Sequence, residues 1–328
     1  MHTLSGCRAA CLLLSIVVAC VLGGCSTNPA TGKSSLLYMS WADERSLAAE
    51  AGPQFTDEFG GEVRDAVTEA YVDEVGAKLT RVALEQAYAE VPELEWDYTL
   101  LDSAVLNAFA LPGGKVYLSR GLAEKLTNEA QLAGVLGHEV GHVMARHGNQ
   151  RMSKQLGMNL ILAGLAVGVG LSDSDSSFRQ YGQYAVPALA VGGNVVMLSY
   201  GRDEELEADG LGIQYMVANG YDPKGQRQVM EVLGAASAGG SRPPEWLSTH
   251  PASETRIERI NEMLRGEYAY TQNSSEYGLY PDRYKRRMLD RLAAMPPATH
   301  GSESAMFDLD QPMLWCAHCA EDARLAAK

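Results

Sequence analysis

The chain opens on an apolar run at residues 11–22, preceded by a start with one basic residue, Arg8. The run is shorter than the roughly 20 residues a membrane-spanning helix needs, and its make-up is that of a secretory signal. A polar, turn-rich stretch follows, "STNPATGKSS" at 26–35, and predicts a tether. From about 41 to 90, apolar positions recur at helical spacing, as in "VRDAVTEAYVDEVGAKLTRVAL". The pattern then changes. Trp96, Tyr98 and Leu100 alternate with polar neighbours and predict a strand, and "NAFALPGGKVYL" (107–118) predicts two strand segments around a Pro-Gly-Gly turn. Helical periodicity returns at Thr127 or Asn128, either of which can cap its start. Two later apolar segments, 156–171 and 185–200, are each too short for a span. They read as buried core helices, or as a hairpin that covers a cleft or touches a membrane. Beyond about 266 the periodicity fades, which predicts an extension, and no internal repeat accompanies it.

The helix from about 128 carries the first candidate chemistry, "LAGVLGHEVGHVMARH" at 132–147. Leu132, Val135, Leu136, Val140 and Val143 share one face, while His138 and His142, four apart, lie together beside it. That spacing lets two imidazoles reach one metal while the apolar face fastens the helix to a core. Glu139, a carboxylate that is not a ligand, is then placed to accept a proton from an activated water. Gly137 and Gly141 each cost about 1 kcal/mol against alanine in a helix, which an uncluttered site or close helix packing would explain. His147, five residues beyond His142, falls off the ligand face and is expected to be structural. HExxH alone also arises by chance on amphipathic helices.

A third ligand has to come from elsewhere. "GRDEELEADGLG" (201–212) is acidic and helical in pattern, with Glu205 and Asp209 on one face. Glu205 can bind zinc, and Asp209 can hydrogen-bond the far nitrogen of a ligating histidine. A solvated acidic face explains the same residues, and Glu204 and Glu207 are expected to belong to one.

Composition narrows the class. With 46% hydrophobic and 21% charged residues the chain is globular, and the formal net charge of −14 becomes −15 once Arg8 leaves with the signal. Such acidity argues against nucleic acid or an anionic lipid surface as the main partner, since both favour basic patches, and its simplest meaning is solubility. The segment "LGGC" ending at Cys25 resembles a bacterial lipobox, which implies a signal peptide at 1–24 and a lipidated Cys25 as first mature residue. By the same resemblance, Ser26 implies the outer membrane of a Gram-negative envelope. Cys316 and Cys319 are then the remaining thiols. In an exported protein they read as a local disulfide or an unimportant tail, with half of a metal site as the other reading.

Five blocks, "NAFALPGGKVYLSRGL", "HEVGHVMARH", "RDEELEADGLG", "GYDP" (220–223) and "STHPASETRI" (248–257), resemble in order those of one zinc metallopeptidase family. It includes the CAAX prenyl endopeptidases and bacterial periplasmic proteases of the BepA and LoiP type, and the similarity covers roughly 25–265. The resemblance implies a mainly helical α+β, zincin-like domain with a small β-sheet or hairpin beside the HExxH helix. It implies one Zn2+ held by His138, His142 and Glu205, Glu139 as base and Asp209 behind the ligands. His250 is expected near the metal, stabilising an oxyanion or filling the open position, with Arg256 orienting its loop. Asn107 and Ala108 are expected to touch substrate through their main chain, because an edge strand can add a peptide as a further strand. His300 and His318 receive no role.

The organisation expected is a signal at 1–24, a lipid-anchored tether at 25–40, a metallopeptidase domain at 41–265 and an extension at 266–328. The expected enzyme hydrolyses peptide bonds of misfolded envelope proteins from the periplasmic side of the outer membrane, with outer-membrane assembly factors as further partners. A binding or assembly factor with a structural or blocked zinc site is the alternative, and intact Glu139 argues against it. An apolar-ligand-binding lipoprotein would need a barrel-like run of strands that the pattern lacks.

Overall fold

Helix starts along the chain are set by short polar caps. The structure is a computed structural model and describes residues 25–168, 199–239, 244–251 and 254–298. The first elements are two three-residue strands, β1 (Cys25–Thr27) and β2 (Ser34–Leu36), paired antiparallel with Cys25 opposite Leu36. Ser40 then starts α1 (Trp41–Glu58) through a capping box with Asp43. Asp65 accepts the Thr68 N–H to start α2 (Ala66–Glu85). Between these helices Gly60 and Gly61 turn the chain at φ 92° and 83°, which divides the single 41–90 periodicity in two.

A mixed sheet follows: β3 (Asp97–Leu101), β4 (Ala108–Leu111) and β5 (Lys115–Ser119), in the order β3-β5-β4. β3 runs parallel to β5, and β4 and β5 form the expected hairpin, whose turn needs φ of 97° and 102° at Gly113 and Gly114. That leaves β4 at an edge. A short helix, α3 (Arg120–Ala123), leads to α4 (Glu129–Met144), capped by Asn128 rather than Thr127. After α4 come α5 (His147–Gly168), α6 (Arg202–Ala218), α7 (Lys224–Gly239), α8 (Trp246–Thr249) and α9 (Glu254–Arg265). The fold is mainly helical α+β and zincin-like, as the sequence led us to expect.

α4 is the centre of the molecule, and every one of its residues is buried. Its apolar face joins Val75, Leu79, Leu118, Leu122, Ile213 and Met216 in one core. Against α6 it packs backbone to backbone. A Cβ on Gly212 would stand 3.0 Å from the His138 nitrogen, and one on Gly141 would stand 3.2 Å from the Ala208 carbonyl oxygen. The glycines flanking the histidines therefore serve helix approach.

Two boundary readings change. The stretch expected to be a tether is docked: Asn28, Ala30, Leu37 and Met39 are buried. Its polar groups close the end of α4, Asn28 donating to the Ala145 carbonyl (3.1 Å) and Arg146 donating to the Met39 carbonyl (2.9 Å) and to Glu44. The stretch expected to be an extension also belongs to the core at first. Tyr284, Met288 and Leu292, spaced four apart in a helical segment running Pro281–Tyr284, Lys285–Leu289 and Asp290–Leu292, are buried. Arg120 donates to the carbonyls of Leu292 and Pro296. Three apolar residues among arginines and aspartates make too narrow a stripe to read as a core helix.

Residues 156–168 of the first later apolar segment are helical, and most of the second lies outside the described residues, as do the signal segment, His300, Cys316, His318 and Cys319. No helix among the described residues is long and apolar enough to cross a membrane.

Candidate metal centre

α4 and α6, held at glycine contact, bring the expected residues to one point. His138 Nε2 and His142 Nε2 are 3.0 Å apart. Glu205, one turn into α6, places Oε2 3.5 Å from His138 Nε2 and Oε1 3.4 Å from His142 Nε2. His250, just past α8, completes the group with Nδ1 3.2 Å from His138 Nε2 and 3.0 Å from Glu205 Oε1. All four donor atoms lie within 4.8 Å of one another, and all four residues are buried.

These separations fit zinc. With Zn–N bonds of about 2.0–2.1 Å, tetrahedral ligand atoms stand roughly 3.3 Å apart, and the observed contacts of 3.0–3.5 Å bracket that edge. Three imidazoles and a carboxylate are also the donors zinc prefers.

Asp209 sits behind His138, its Oδ1 3.0 Å from Nδ1. A proton on Nδ1 leaves the Nε2 lone pair facing the cluster. Arg256 grips the same carboxylate with Nε and Nη2, both at 2.7 Å, and reaches Glu205 Oε2 with Nη1 at 2.6 Å. It also donates to the carbonyls of His250 and Pro251 at 3.4 Å. Gln226 adds a further bond to Asp209 at 2.9 Å. Burial alone would raise Asp209, but the Arg256 and His138 partners outweigh it and hold the carboxyl at about 2. Burial likewise opposes charge on His138, yet Glu205 and Asp209 keep it at about 9. For His142 burial wins and its basicity falls well below the ordinary range.

Glu139 faces the cluster from the next position along α4. Its Oε1 accepts from the Trp246 indole (3.2 Å) and lies 3.6 Å from His250 Nε2, while Oε2 is buried without a partner among the described residues.

Residues 68–264, more than half the chain, match the model of peptidase family M48. The chain belongs to peptidase family M48. It is similar to the beta-barrel assembly-enhancing protease of Escherichia coli strain K12, with 31% identity over 206 residues, or 61% of this chain and 40% of that protein. It is also 30% identical over 223 residues to the mitochondrial metalloendopeptidase OMA1 of Schizosaccharomyces pombe, covering 67% of this chain and 61% of that one. To the OMA1 metalloendopeptidase of Bos taurus it is 27% identical over 242 residues, covering 72% and 45%. The chain thus spans less than two thirds of these relatives' own lengths. M48 enzymes are zinc-dependent metallopeptidases, in keeping with the donor set.

Several residues of this M48 site escaped the sequence reading. Trp246 is fully buried, stacks on His250 (centroids 4.9 Å apart) and holds Glu139. Tyr200 stacks on His142 at 3.9 Å. Neither follows a periodicity that points to a metal, though Trp246 lies four before His250, a helical spacing. Glu204 and Glu207 are not a solvated face. Glu204 takes the Gly201 N–H and pairs with Arg151 and Lys154. Glu207 pairs with His147, which in turn meets His142.

The hairpin corrects one expectation. Asn107 already donates its N–H to Ser119 Oγ (3.0 Å) and accepts the Ser119 N–H (2.9 Å), so its main chain is committed to β5. Both polar atoms of its side chain are buried without a partner among the described residues. Because antiparallel bonds alternate, Ala108 and Ala110 turn their main-chain groups to the open edge of β4. Ala110, Leu111 and Pro112 line a narrow cavity together with His142 and Tyr200.

Proposed function

We propose that this protein is a zinc-dependent endopeptidase of a bacterial cell envelope, with His138, His142 and Glu205 as zinc ligands and Glu139 as general base. One observation carries the reading: donor atoms of His138, His142, Glu205 and His250 lie within 4.8 Å of one another, beside a buried Glu139 whose Oε2 has no partner among the described residues. Zinc bound there would polarise the scissile carbonyl and lower the pKa of the attacking water. Glu139 Oε2 takes the proton from that water and later delivers it to the departing amine, while Trp246 fixes the carboxylate through Oε1. Asp209 and Arg256 hold His138 and Glu205 in ligating orientation. An extended peptide adds to the edge of β4 through Ala108 and Ala110, and the amide of Asn107 supplies a side-chain contact.

His250 rests at the fourth corner of the donor set, which supports a latent resting form. Substrate entry then requires the loop that carries it to shift. The alternative reading, a binding or assembly factor with a permanently closed site, draws on the same observation.

Lipidation of Cys25 after removal of 1–24, attachment to the outer membrane facing the periplasm, and misfolded envelope proteins as substrates complete the proposal. The relative named for enhancing beta-barrel assembly supports outer-membrane assembly partners. The peptidase unit takes in 41–265 and draws in the docked stretches on either side.

The deciding experiment is cleavage of an unfolded protein by the mature chain, beside Glu139→Gln, with zinc content measured in both. Cutting by the wild type alone, at equal zinc, supports protease and base. Cutting by both removes Glu139 from the mechanism, and cutting by neither, even after His250→Ala, favours the binding factor.

A further inference from the structure

On one continuous helix His147, five residues on, would point about 140° away from His142. The chain does not continue as one helix. Arg146 adopts φ 56°, in the left-handed region that favours glycine, and α5 starts afresh at His147. The turn folds the His147 ring back until its Nδ1 lies 2.9 Å from His142 Nδ1 and the rings meet edge to face. On its far side His147 Nε2 is 3.0 Å from Glu207 Oε2, and the other Glu207 oxygen is 3.3 Å from Lys33. His147 is 1% exposed, so its ring has no water to substitute for these partners.

We infer that His147 is a positioning residue for the metal centre: backed by Glu207, it accepts the Nδ1 proton of His142 and keeps the Nε2 lone pair of His142 aimed at the donor cluster. Two Nδ1 atoms at hydrogen-bond distance admit one proton between them. If His142 ligates through Nε2, as its position requires, that proton belongs to His142. His147 Nδ1 is then the acceptor, and its own proton sits on Nε2, facing the Glu207 carboxylate. Every donor in the chain meets an acceptor in this arrangement. With the proton moved to His147 Nδ1, Glu207 would face a bare imidazole nitrogen across 3.0 Å. His138 and His142 thus receive parallel treatment by different means: His138 has the Asp209 carboxylate directly, and His142 has a carboxylate relayed through a second imidazole. Partners behind a ligating histidine are worth about 10–100-fold in metal affinity.

The inference rests on the zinc reading above, and the test separates the two. Zinc dissociation constants are measured by competition with a chromogenic chelator for wild type, His147→Leu, His147→Asn and Glu207→Ala. Leucine fills the space without an acceptor, whereas asparagine places Oδ1 where Nδ1 stood. The expected result is a loss of about 10–100-fold for His147→Leu, substantial rescue in His147→Asn, and a loss near the lower end of that range for Glu207→Ala. A role in packing alone would reverse the order, leaving leucine closer to wild type than asparagine. In zinc-loaded Glu139→Gln protein, imidazole 15N shifts are expected to show His142 protonated on Nδ1. Equal affinity in wild type and His147→Leu, or a bare Nδ1 on His142, overturns the inference and leaves the zinc site standing. If His147→Leu does not fold, Glu207→Ala, at a side chain 22% exposed, becomes decisive, and wild-type affinity there overturns the inference. A wild type that binds no zinc removes both readings together.

Discussion

His250 Nδ1 lies 3.2 Å from His138 Nε2, the spacing of two ligands on one tetrahedral metal. A site for hydrolysis keeps one position for water and substrate, and under the proposed latent form His250 fills that position until its loop shifts. His250→Ala is therefore expected to retain zinc and to raise cleavage of an unfolded protein by about tenfold or more, the change that follows when an open form populated to a few per cent becomes dominant. Steady-state kinetics on both proteins check it. A fall in kcat with unchanged KM would instead make His250 a stabiliser of the transition state.

Gly212 allows α6 to meet α4 at the backbone, since a Cβ there would stand 3.0 Å from the His138 nitrogen and 3.1 Å from the Gly137 carbonyl carbon. Both contacts are with backbone, so relief means moving one helix against the other. Gly212→Ala is expected to destabilise by about 1–3 kcal/mol from overpacking, despite a gain of about 1 kcal/mol in helix propensity. Zinc affinity should fall as well, because Glu205 and Asp209 move away from the histidines. Gly234→Ala in α7, with nothing within 4 Å, is the control and is expected to be neutral or stabilising. Urea midpoints at constant slope measure both.

Glu69, on α2, is raised to about 8, first by burial and then by Glu62, Asp73 and Asp97, with only a long bond from the Leu100 N–H in opposition. A carboxyl whose folded pKa exceeds its unfolded value contributes stability that is fully present below pH 4.5 and lost as pH rises through about 8. Glu69→Gln is expected to flatten stability across that window and to melt higher than wild type above it. Melting temperatures at acidic, neutral and alkaline pH test this, and an unchanged slope would assign the dependence to another group.

Residues 25–40 are expected to be part of the folding unit. A chain beginning at Trp41 loses the Asn28 bond to Ala145 and the Met39 carbonyl that Arg146 and Asn149 share. At about 0.5–1.5 kcal/mol each, these bonds amount to roughly 2–4 kcal/mol, a drop of about 5–15 °C in a domain of this size. A melting temperature equal to that of the chain from Cys25 would return the segment to the status of a tether.

Much of the candidate site was legible in the sequence because its spacing is local. His138, Glu139 and His142 need only one helix, and Glu205 with Asp209 need only another. Four-residue spacing puts each pair on one face whatever the rest of the chain does. The hairpin was legible for a similar reason: Pro112, Gly113 and Gly114 allow few conformations besides a turn, and the apolar segments around it pair in register. Long-range relations were not. The distances between α4 and α6 depend on glycines whose sequence signature is only a missing side chain. Trp246 and Tyr200 reach the histidines through packing, and His147 reaches His142 through a left-handed Arg146 that no residue type announced.

The sequence by itself determined the chemistry on offer: two histidines and a glutamate on one helix, two carboxylates on a second, a histidine in a loop, and a mainly helical fold with one hairpin. Only the tertiary structure decided that His250 stands at ligand distance, that His147 and Glu207 back His142, and that both stretches flanking the domain are packed into it. The physical reason is one of range. Helical and strand periodicity act over a few residues and leave a pattern in the chain, whereas backbone contact at glycines, a single positive φ and the capping of one helix by a distant asparagine act between segments whose separation along the sequence carries no periodic trace.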